Sequence, residues 1–292
     1  MSWVAAVARL RARREPGVLV TVATVRGHAP RRAGAKLVVG RTETWGSIGG
    51  GNIEAVAIDR ARELYGTAGP EPEPEPELME FALNDKVTGR HGVQCCGGAV
   101  TVLLEPLPVV QAVAVFGVGH VGLELARILA RHHLDLHLID TRPDMLTAER
   151  LGVLADAVAQ IHVHHTPLLP EEVLAELPPG THVLIMTHDH AEDAALCDAA
   201  LRTAGLGSIG LIGSSAKWAR FRQRLATEGG HDAATIDRIK TPIGIAEITG
   251  KEPATIAVSV AADLLRSFEQ ARHRAVPNPV AAVPYAPVAG SA

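Results

Sequence analysis

The chain has 292 residues, of which 47% are apolar and only 3% aromatic, so we expect a globular protein with an aliphatic core. Its formal net charge of −4 argues against a general nucleic-acid or membrane-surface role, because such roles need a basic excess. No apolar run reaches the roughly 18 residues of a membrane-spanning helix, and three cysteines make no disulfide framework, so a cytoplasmic protein is predicted.

Residues 1–108 are predicted to form a smaller, mixed α+β domain, because short strands and helices follow one another there without a regular alternation. The predicted elements are a helix over 3–14, strands over 18–25, 35–39 and 42–48, a helix over 53–65, and strands over 78–83 and 99–104. A proline- and glutamate-rich segment over 70–76 interrupts them and is predicted to be a solvated loop.

Two turns in this domain carry groups that attract anions. The turn over 27–32 contains the adjacent cations Arg31 and Arg32. Three consecutive glycines stand before the second helix: Gly49, Gly50 and Gly51. Bare backbone N–H groups at a helix start bind anions, so this glycine run is a candidate phosphate site, with Asn52 as the candidate N-cap. A flexible turn with no ligand would produce the same pattern.

A thiol motif follows just before the last strand of the domain, where Cys95 and Cys96 precede Gly97 and Gly98. A thiol beside exposed backbone is suited to binding a soft metal or to carrying sulfur. The alternative is that these small residues only fill a tight turn.

From residue 109 strands and helices alternate, which predicts a Rossmann-like parallel sheet with helices on both faces over 109–275. The predicted strands lie over 113–116, 136–139, 160–164, 181–186 and 207–212, and the predicted helices lie over 123–131, 171–177, 191–203, 215–228 and 254–270. The tail over 276–292 has no periodicity and is predicted to be disordered.

The first strand of this sheet leads into a dinucleotide-binding fingerprint. Gly117, Gly119 and Gly122 have the required spacing between a strand and a helix. Asp140 ends the next strand, about where a carboxylate that binds ribose belongs. Arg142 leaves open whether a 2′-hydroxyl or a 2′-phosphate would be bound.

Ligands of open α/β sheets bind beyond the carboxyl ends of the strands, so the residues that follow each strand are site candidates. Besides the fingerprint, these candidates are His120, His188, Asp189, Gly213, Ser214, Ser215 and Lys217. The last four suit a phosphate or carboxylate. Asp189 is expected to cap a helix, and a metal at His188 and His190 is disfavoured because no third ligand is near in sequence.

Eight motifs in this order resemble the XdhC/CoxI family of xanthine dehydrogenase accessory proteins. They occupy residues 46–54, 96–98, 116–122, 139–142, 187–190, 210–217, 242–244 and 250–253. The resemblance implies an N-terminal XdhC/CoxI domain followed by a Rossmann-like domain.

The same resemblance implies a chaperone that binds molybdenum cofactor (molybdopterin), supports its sulfuration and inserts it into xanthine dehydrogenase or a related molybdenum hydroxylase. The implied partners are the apo-enzyme, a cysteine desulfurase and a second copy of the chain, and purine oxidation is not part of the role. We therefore expect Cys96 near molybdenum or the transferred sulfur, and the triple glycine near the pterin phosphate. An NAD(P)-dependent oxidoreductase and a nucleotide-binding regulatory module remain the alternatives.

Overall fold

The computed structural model describes residues 1–66, 74–83 and 98–273. Most of the predicted proline-rich loop and the predicted disordered tail therefore lie outside the described residues. The chain divides into two compact units, Met1–Val109 together with the segment from Glu269 (unit 1), and Val110–Phe268 (unit 2). No helix in the described ranges is both long and apolar enough to cross a membrane.

Unit 1 contains an antiparallel five-stranded sheet in the order β3-β2-β1-β5-β4. The strands are β1 (Gly17–Arg26), β2 (Lys36–Val39), β3 (Thr44–Gly46), β4 (Glu77–Leu83) and β5 (Gly98–Leu107), and the helices are α1 (Trp3–Ala12) and α2 (Gly51–Gly66). The β-branched run of β1 forms the middle of the sheet, and residues 17–22 of this strand are buried or half-buried.

The two helices of unit 1 cover opposite faces of this sheet. On one face, Val18, Val20 and Val22 pack with Ile53 and other apolar residues of α2. On the other face, Ala6 and Leu10 of α1 pack against Val38. This alternation of side chains along β1 and β2 follows from the period of two in a strand. Unit 1 is thus a mixed α+β fold with a core on each side of the sheet.

Unit 2 contains a parallel six-stranded sheet in the order β8-β7-β6-β9-β10-β11. The strands are β6 (Gln111–Phe116), β7 (Leu134–Asp140), β8 (Gln160–His165), β9 (His182–Ile185), β10 (Ser208–Leu211) and β11 (Ile239–Lys240). Counted from β6, this is the 3-2-1-4-5-6 order of doubly wound nucleotide-binding folds. The direction of winding reverses between β6 and β9, where such folds have their ligand crevice.

Helices cover both faces of this sheet, which confirms the predicted fold class. They are α3 (His120–Leu129), α4 (Ala148–Leu151), α5 (His190–Arg202), α6 (Ser215–Thr227), α7 (Ala233–Ile236) and α8 (Pro253–His273). The core on one face includes residues of α3 and α8, and the core on the other includes residues of α5 and α6. The helix predicted over 171–177 is instead a 3-10 helix, Pro170–Ala175, which begins at a proline.

Candidate functional site

In unit 1, the start of β5 lies directly against the turn that follows β1. Arg26 is paired with Ala99 in the register of the two strands. A Cβ atom on Gly98 would lie 2.3 Å from the carbonyl oxygen of His28 and 2.5 Å from that of Arg26. Only glycine permits this approach, so the start of β5 at Gly98 packs against the turn at residues 26–32.

The triple-glycine turn contacts the same segment at Pro30. Gly49, Gly50 and Gly51 have φ of +129°, +71° and +61°, a backbone region that favours glycine. A Cβ atom on Gly49 would lie 2.5 Å from Pro30 Cγ and 3.6 Å from Arg31 Cγ. Three sequence motifs that are far apart along the chain therefore converge at one place in unit 1.

The segment over 26–32, which we call the cationic turn, exposes four basic side chains to solvent: Arg26, His28, Arg31 and Arg32. Within the described ranges, none of the three arginines forms an ion pair. Guanidinium groups of this kind can bind a phosphate through two parallel hydrogen bonds. The turn thus offers a concentrated positive charge beside the glycine-rich backbone.

Two amides of the triple glycine are bound within the chain, that of Gly50 by the Glu54 carboxylate and that of Gly49 by the Ser47 hydroxyl. Glu54 Oε2 accepts hydrogen bonds from Ile48 N at 3.0 Å, Gly50 N at 3.1 Å and Ser47 Oγ at 2.6 Å, and Gly49 N donates to Ser47 Oγ at 3.1 Å. A phosphate at this turn would therefore have to compete with these internal hydrogen bonds at Gly49 and Gly50. The helix also begins at Gly51, so Asn52 lies in its first turn and is not the N-cap.

Glu54 makes the turn sensitive to acid. Burial favours a raised pKa, but the hydrogen bonds from Ser47, Gly50 and Ile48 outweigh it and leave the pKa of Glu54 lowered.

We expect Glu54→Gln, which resembles the protonated acid, to lower the free energy of unfolding by about 1 kcal/mol at pH 7. The expected loss is small because the side chain is only half-buried. The pKa of Glu54 is lower in the folded state than its ordinary value of 4.5, so the charged carboxylate stabilises the fold above about pH 4.5. The difference in unfolding free energy between wild type and Glu54→Gln should disappear as the pH falls further and the wild-type carboxylate is protonated.

Urea unfolding at pH 7 and at pH 3.5–4 would measure this difference. Glu80→Gln, which changes an exposed carboxylate on β4, is the matched control and should show no such pH-dependent difference. A loss of stability for Glu54→Gln that is equally large at both pH values would show that the charge of Glu54 does not stabilise the triple-glycine turn.

Three predicted residues of the thiol motif, Cys95, Cys96 and Gly97, lie outside the described residues. Gly98, the last residue of the motif, begins β5. Among the residues that the structure does describe, no group of three or more histidine, cysteine, aspartate or glutamate side chains is placed to hold a metal ion.

In unit 2, the fingerprint glycines form the turn between β6 and α3. Gly117 has φ of +99°, and a Cβ atom there would lie 2.4 Å from the Met186 carbonyl oxygen of the neighbouring strand end. A Cβ atom on Gly122 would lie 2.1 Å from the Gly117 carbonyl oxygen. Gly119 has an ordinary φ of −70° and open space where a Cβ atom would be, so neither conformation nor packing requires glycine there.

Asp140, the predicted ribose ligand, is buried at the end of β7, and its carboxylate is fully engaged within the protein. Oδ2 accepts Val118 N at 2.7 Å and Arg142 Nη2 at 3.0 Å, while Oδ1 accepts the main-chain N of Arg142 at 3.0 Å and its Nε at 2.9 Å. Burial would raise the pKa of Asp140, but the hydrogen bonds from Arg142 and Val118 overcome it and lower the pKa.

Lys217 points inward, which corrects its predicted role as an exposed anion ligand. Its Nζ donates to Asp193 Oδ2 at 2.5 Å and to the Ile212 carbonyl at 3.0 Å. Asp193 Oδ1 in turn accepts the backbone N at 3.1 Å and the Oγ1 at 2.8 Å of Thr187. This buried network connects the starts of α5 and α6 to the end of β9. Gly213 and Ser214 lie before α6 and Ser215 is its first residue, and Ser214 caps α6 by accepting a hydrogen bond from Lys217 N.

The remaining predicted residues are exposed at the carboxyl end of the sheet. His120 is the first residue of α3, and His188 and Asp189 precede α5. Asp189 caps α5 by accepting Ala191 N at 2.6 Å and Glu192 N at 3.1 Å, as predicted. These hydrogen bonds lower the pKa of Asp189.

Three acidic residues with partners at these sites were not predicted from the sequence: Glu54, Glu192 and Asp193. Burial raises the pKa of Glu192, which accepts a hydrogen bond from Thr141 Oγ1 at 3.3 Å. Both Glu192 and Asp193 lie in the first turn of α5, where acidic residues are common because they favour the helix dipole. The sequence therefore contains no signal that distinguishes these two from ordinary residues of a helix start.

Comparison with known proteins gives two matches to family models. Residues 113–264 match the XdhC Rossmann domain, which covers more than half of the chain. Residues 10–80 match the XdhC and CoxI family. The two matches fall in unit 2 and unit 1, respectively.

One similar protein is the uncharacterized protein YqeB of Escherichia coli (strain K12), which is 25% identical over 259 residues. That alignment takes in 89% of this chain but 45% of YqeB, so the chain spans about half the length of this curated relative. A solved structure from Bacillus halodurans, described as a xanthine dehydrogenase, has 19% sequence identity and a TM-score of 0.45 over 95% of this chain and 98% of the other.

Proposed function

Because the chain belongs to the XdhC and CoxI family, we propose that it is an accessory protein that handles molybdenum cofactor for xanthine dehydrogenase or a related molybdenum hydroxylase. Family membership supports the accessory role. The binding, sulfuration and insertion of the cofactor are the finer parts of the proposal.

One observation carries the proposal. In unit 1, the triple-glycine turn and the start of β5 both lie against the cationic turn. Molybdenum cofactor is a pterin dithiolene that ends in a phosphate or a dinucleotide pyrophosphate. Arg31 and Arg32 supply the charge that such a phosphate requires. The glycine at position 98 lets the start of β5 pack closely against this cationic turn.

Cys96 is the residue that we assign to the sulfur chemistry. It stands two residues before Gly98 in the sequence, and two residues of chain span at most about 7 Å. A thiol there is within reach of a ligand held by the cationic turn. In this proposal the thiol lies near the molybdenum or the sulfur delivered to it, and a thiolate is the form that binds soft metals and accepts sulfur.

The proposed partners follow from the proposed binding of molybdenum cofactor. A cysteine desulfurase supplies the sulfur, the apo-dehydrogenase accepts the finished cofactor, and the chain acts as a homodimer. The chain itself does not oxidise purines. An oxidoreductase role for unit 2 gains no support from the structure, because Asp140, the expected ribose ligand, has its carboxylate engaged by Val118 and Arg142.

Replacement of Cys96 tests the sulfur step. We expect Cys96→Ser to retain molybdopterin but to activate apo-xanthine dehydrogenase at least tenfold less than wild type, since serine cannot bind a soft metal or carry sulfur. The measurement is urate formation after incubation of the apo-enzyme with the accessory protein, a cysteine desulfurase and cysteine. Molybdopterin is quantified in parallel as its fluorescent oxidised product.

Cys95→Ser is the matched control, because it removes the neighbouring thiol and should leave activation within about twofold of wild type. Full activation by Cys96→Ser with normal cofactor content would refute the assignment of Cys96.

A further inference from the structure

We infer that Arg142 is a specificity-determining residue that withholds Asp140 from ribose and thereby excludes nicotinamide dinucleotides from the crevice of unit 2. The inference concerns a site in unit 2 and does not depend on the cofactor site proposed in unit 1. The sequence contains a complete dinucleotide-binding fingerprint, but the Asp140 carboxylate has no free acceptor position for a ribose hydroxyl.

A carboxylate has about four acceptor positions, two on each oxygen. Asp140 receives four hydrogen bonds, two on each oxygen, at 2.7 to 3.0 Å. Two of the donors are backbone amides, those of Val118 and Arg142. The other two belong to the Arg142 guanidinium, which binds both carboxylate oxygens at once. Every acceptor position of Asp140 is therefore occupied.

A ribose hydroxyl that binds this carboxylate must donate a hydrogen bond to it. With Arg142 in place, the hydroxyl has to displace a charge-assisted bond of the guanidinium, and such bonds are roughly twice as strong as those between neutral groups. The guanidinium is held further by the nearby charges of Asp144 and Glu192.

A 2′-phosphate meets a different obstacle at the same place. Three carboxylates, those of Asp140, Asp144 and Glu192, lie within electrostatic range of Arg142. Arg150, whose Nη2 donates to the Val118 carbonyl at 3.2 Å, adds one further cation at the glycine turn. Even with the pKa of Glu192 raised by burial, this region has no clear excess of positive charge for a phosphate. NADP(H) should thus be excluded together with NAD(H).

Removal of the Arg142 side chain should restore the ribose site. In Arg142→Ala both backbone donors remain, so Val118 N still fixes the glycine turn to Asp140 Oδ2. One acceptor position becomes vacant on each oxygen, which matches the two adjacent hydroxyls of a ribose. Arg142→Met vacates the same positions and retains most of the aliphatic stem, in case alanine disturbs the packing of the loop.

The test is titration of the full-length protein with NADH and, separately, with NADPH, followed by the fluorescence of the reduced nicotinamide. We expect no saturation of wild type at millimolar NADH, and at least a tenfold gain in NADH affinity in Arg142→Ala and Arg142→Met. NADPH should show no comparable gain, because its 2′-phosphate replaces one hydroxyl and faces the bare carboxylate. Arg127→Ala removes an exposed arginine of α3 that pairs with Glu124, and it should behave as wild type.

Saturable binding of NADH to wild type with an affinity within twofold of the variants would overturn the inference. Failure of both Arg142 variants to gain NADH affinity while their thermal stability stays near that of wild type would overturn it equally. The molybdopterin content of the same preparations reports separately on the site in unit 1, so the two proposals can fail independently.

Discussion

Asp193→Ala should lower the free energy of unfolding of unit 2 by about 3 to 5 kcal/mol, the usual cost of leaving a buried charge without its partner. Asp193 is completely buried, and Lys217 is 8% exposed. Removal of the carboxylate leaves the Lys217 ammonium without its counter-ion. It also leaves the backbone N–H and the hydroxyl of Thr187 without their acceptor.

Chemical denaturation followed by tryptophan fluorescence and circular dichroism would measure this loss. The matched control is Asp237→Ala, which breaks the exposed pair with Arg222 and should cost less than about 1 kcal/mol. Equal effects of the two substitutions would show that the buried network does not hold α5 and α6 to the sheet. The double variant Asp193→Leu/Lys217→Met should recover much of the loss, because no unpaired charge remains.

Gly117→Ala is the second substitution for which we expect a large effect, about 3 kcal/mol of lost stability. The φ of +99° strains any residue with a Cβ atom. The new methyl group would also lie 2.4 Å from the Met186 carbonyl oxygen, and backbone atoms there cannot move without disturbing β9. The thermal midpoint should fall by roughly 6 to 12 °C for a unit of this size.

Gly119→Ala provides the comparison within the same turn. Its backbone has an ordinary φ and its Cβ atom would enter open space, so stability should change by less than about 0.5 kcal/mol. If both alanine variants were equally stable, the turn would have to be far more adaptable than its close contact with Met186 indicates.

Much of the fold could be predicted because it depends on short-range patterns. The β-branched run of β1 predicts a buried strand, and β1 lies in the middle of its sheet. The alternation of strands and helices after residue 109 predicts the parallel sheet, since parallel strands need crossover connections. The fingerprint glycines identify the turn between β6 and α3, because a Cβ atom at Gly117 or Gly122 would collide with backbone there.

The site was harder to predict because hydrogen-bond partners depend on the three-dimensional fold. Gly49, Gly50 and Gly51 have the pattern of an anion site, but nothing in that pattern reveals that Glu54 folds back onto the amides of Ile48 and Gly50. Asp140 stands at the position of a ribose ligand, yet Arg142 two residues later occupies it. In both places a side chain of the protein itself occupies the hydrogen-bonding groups that a ligand would use. A motif that is defined only by the spacing of residues cannot show this.

The central claim is that unit 1 binds molybdenum cofactor through the cationic turn, and the cofactor content of the purified protein tests it most directly. The protein is produced in cells that make the cofactor, and bound molybdopterin is released and measured as its fluorescent oxidised form. We predict near-stoichiometric molybdopterin on wild type and at least a tenfold loss in Arg31→Glu/Arg32→Glu, whose fold is checked by circular dichroism. Absence of molybdopterin from wild type, or equal content in the charge-reversed variant, would contradict the account.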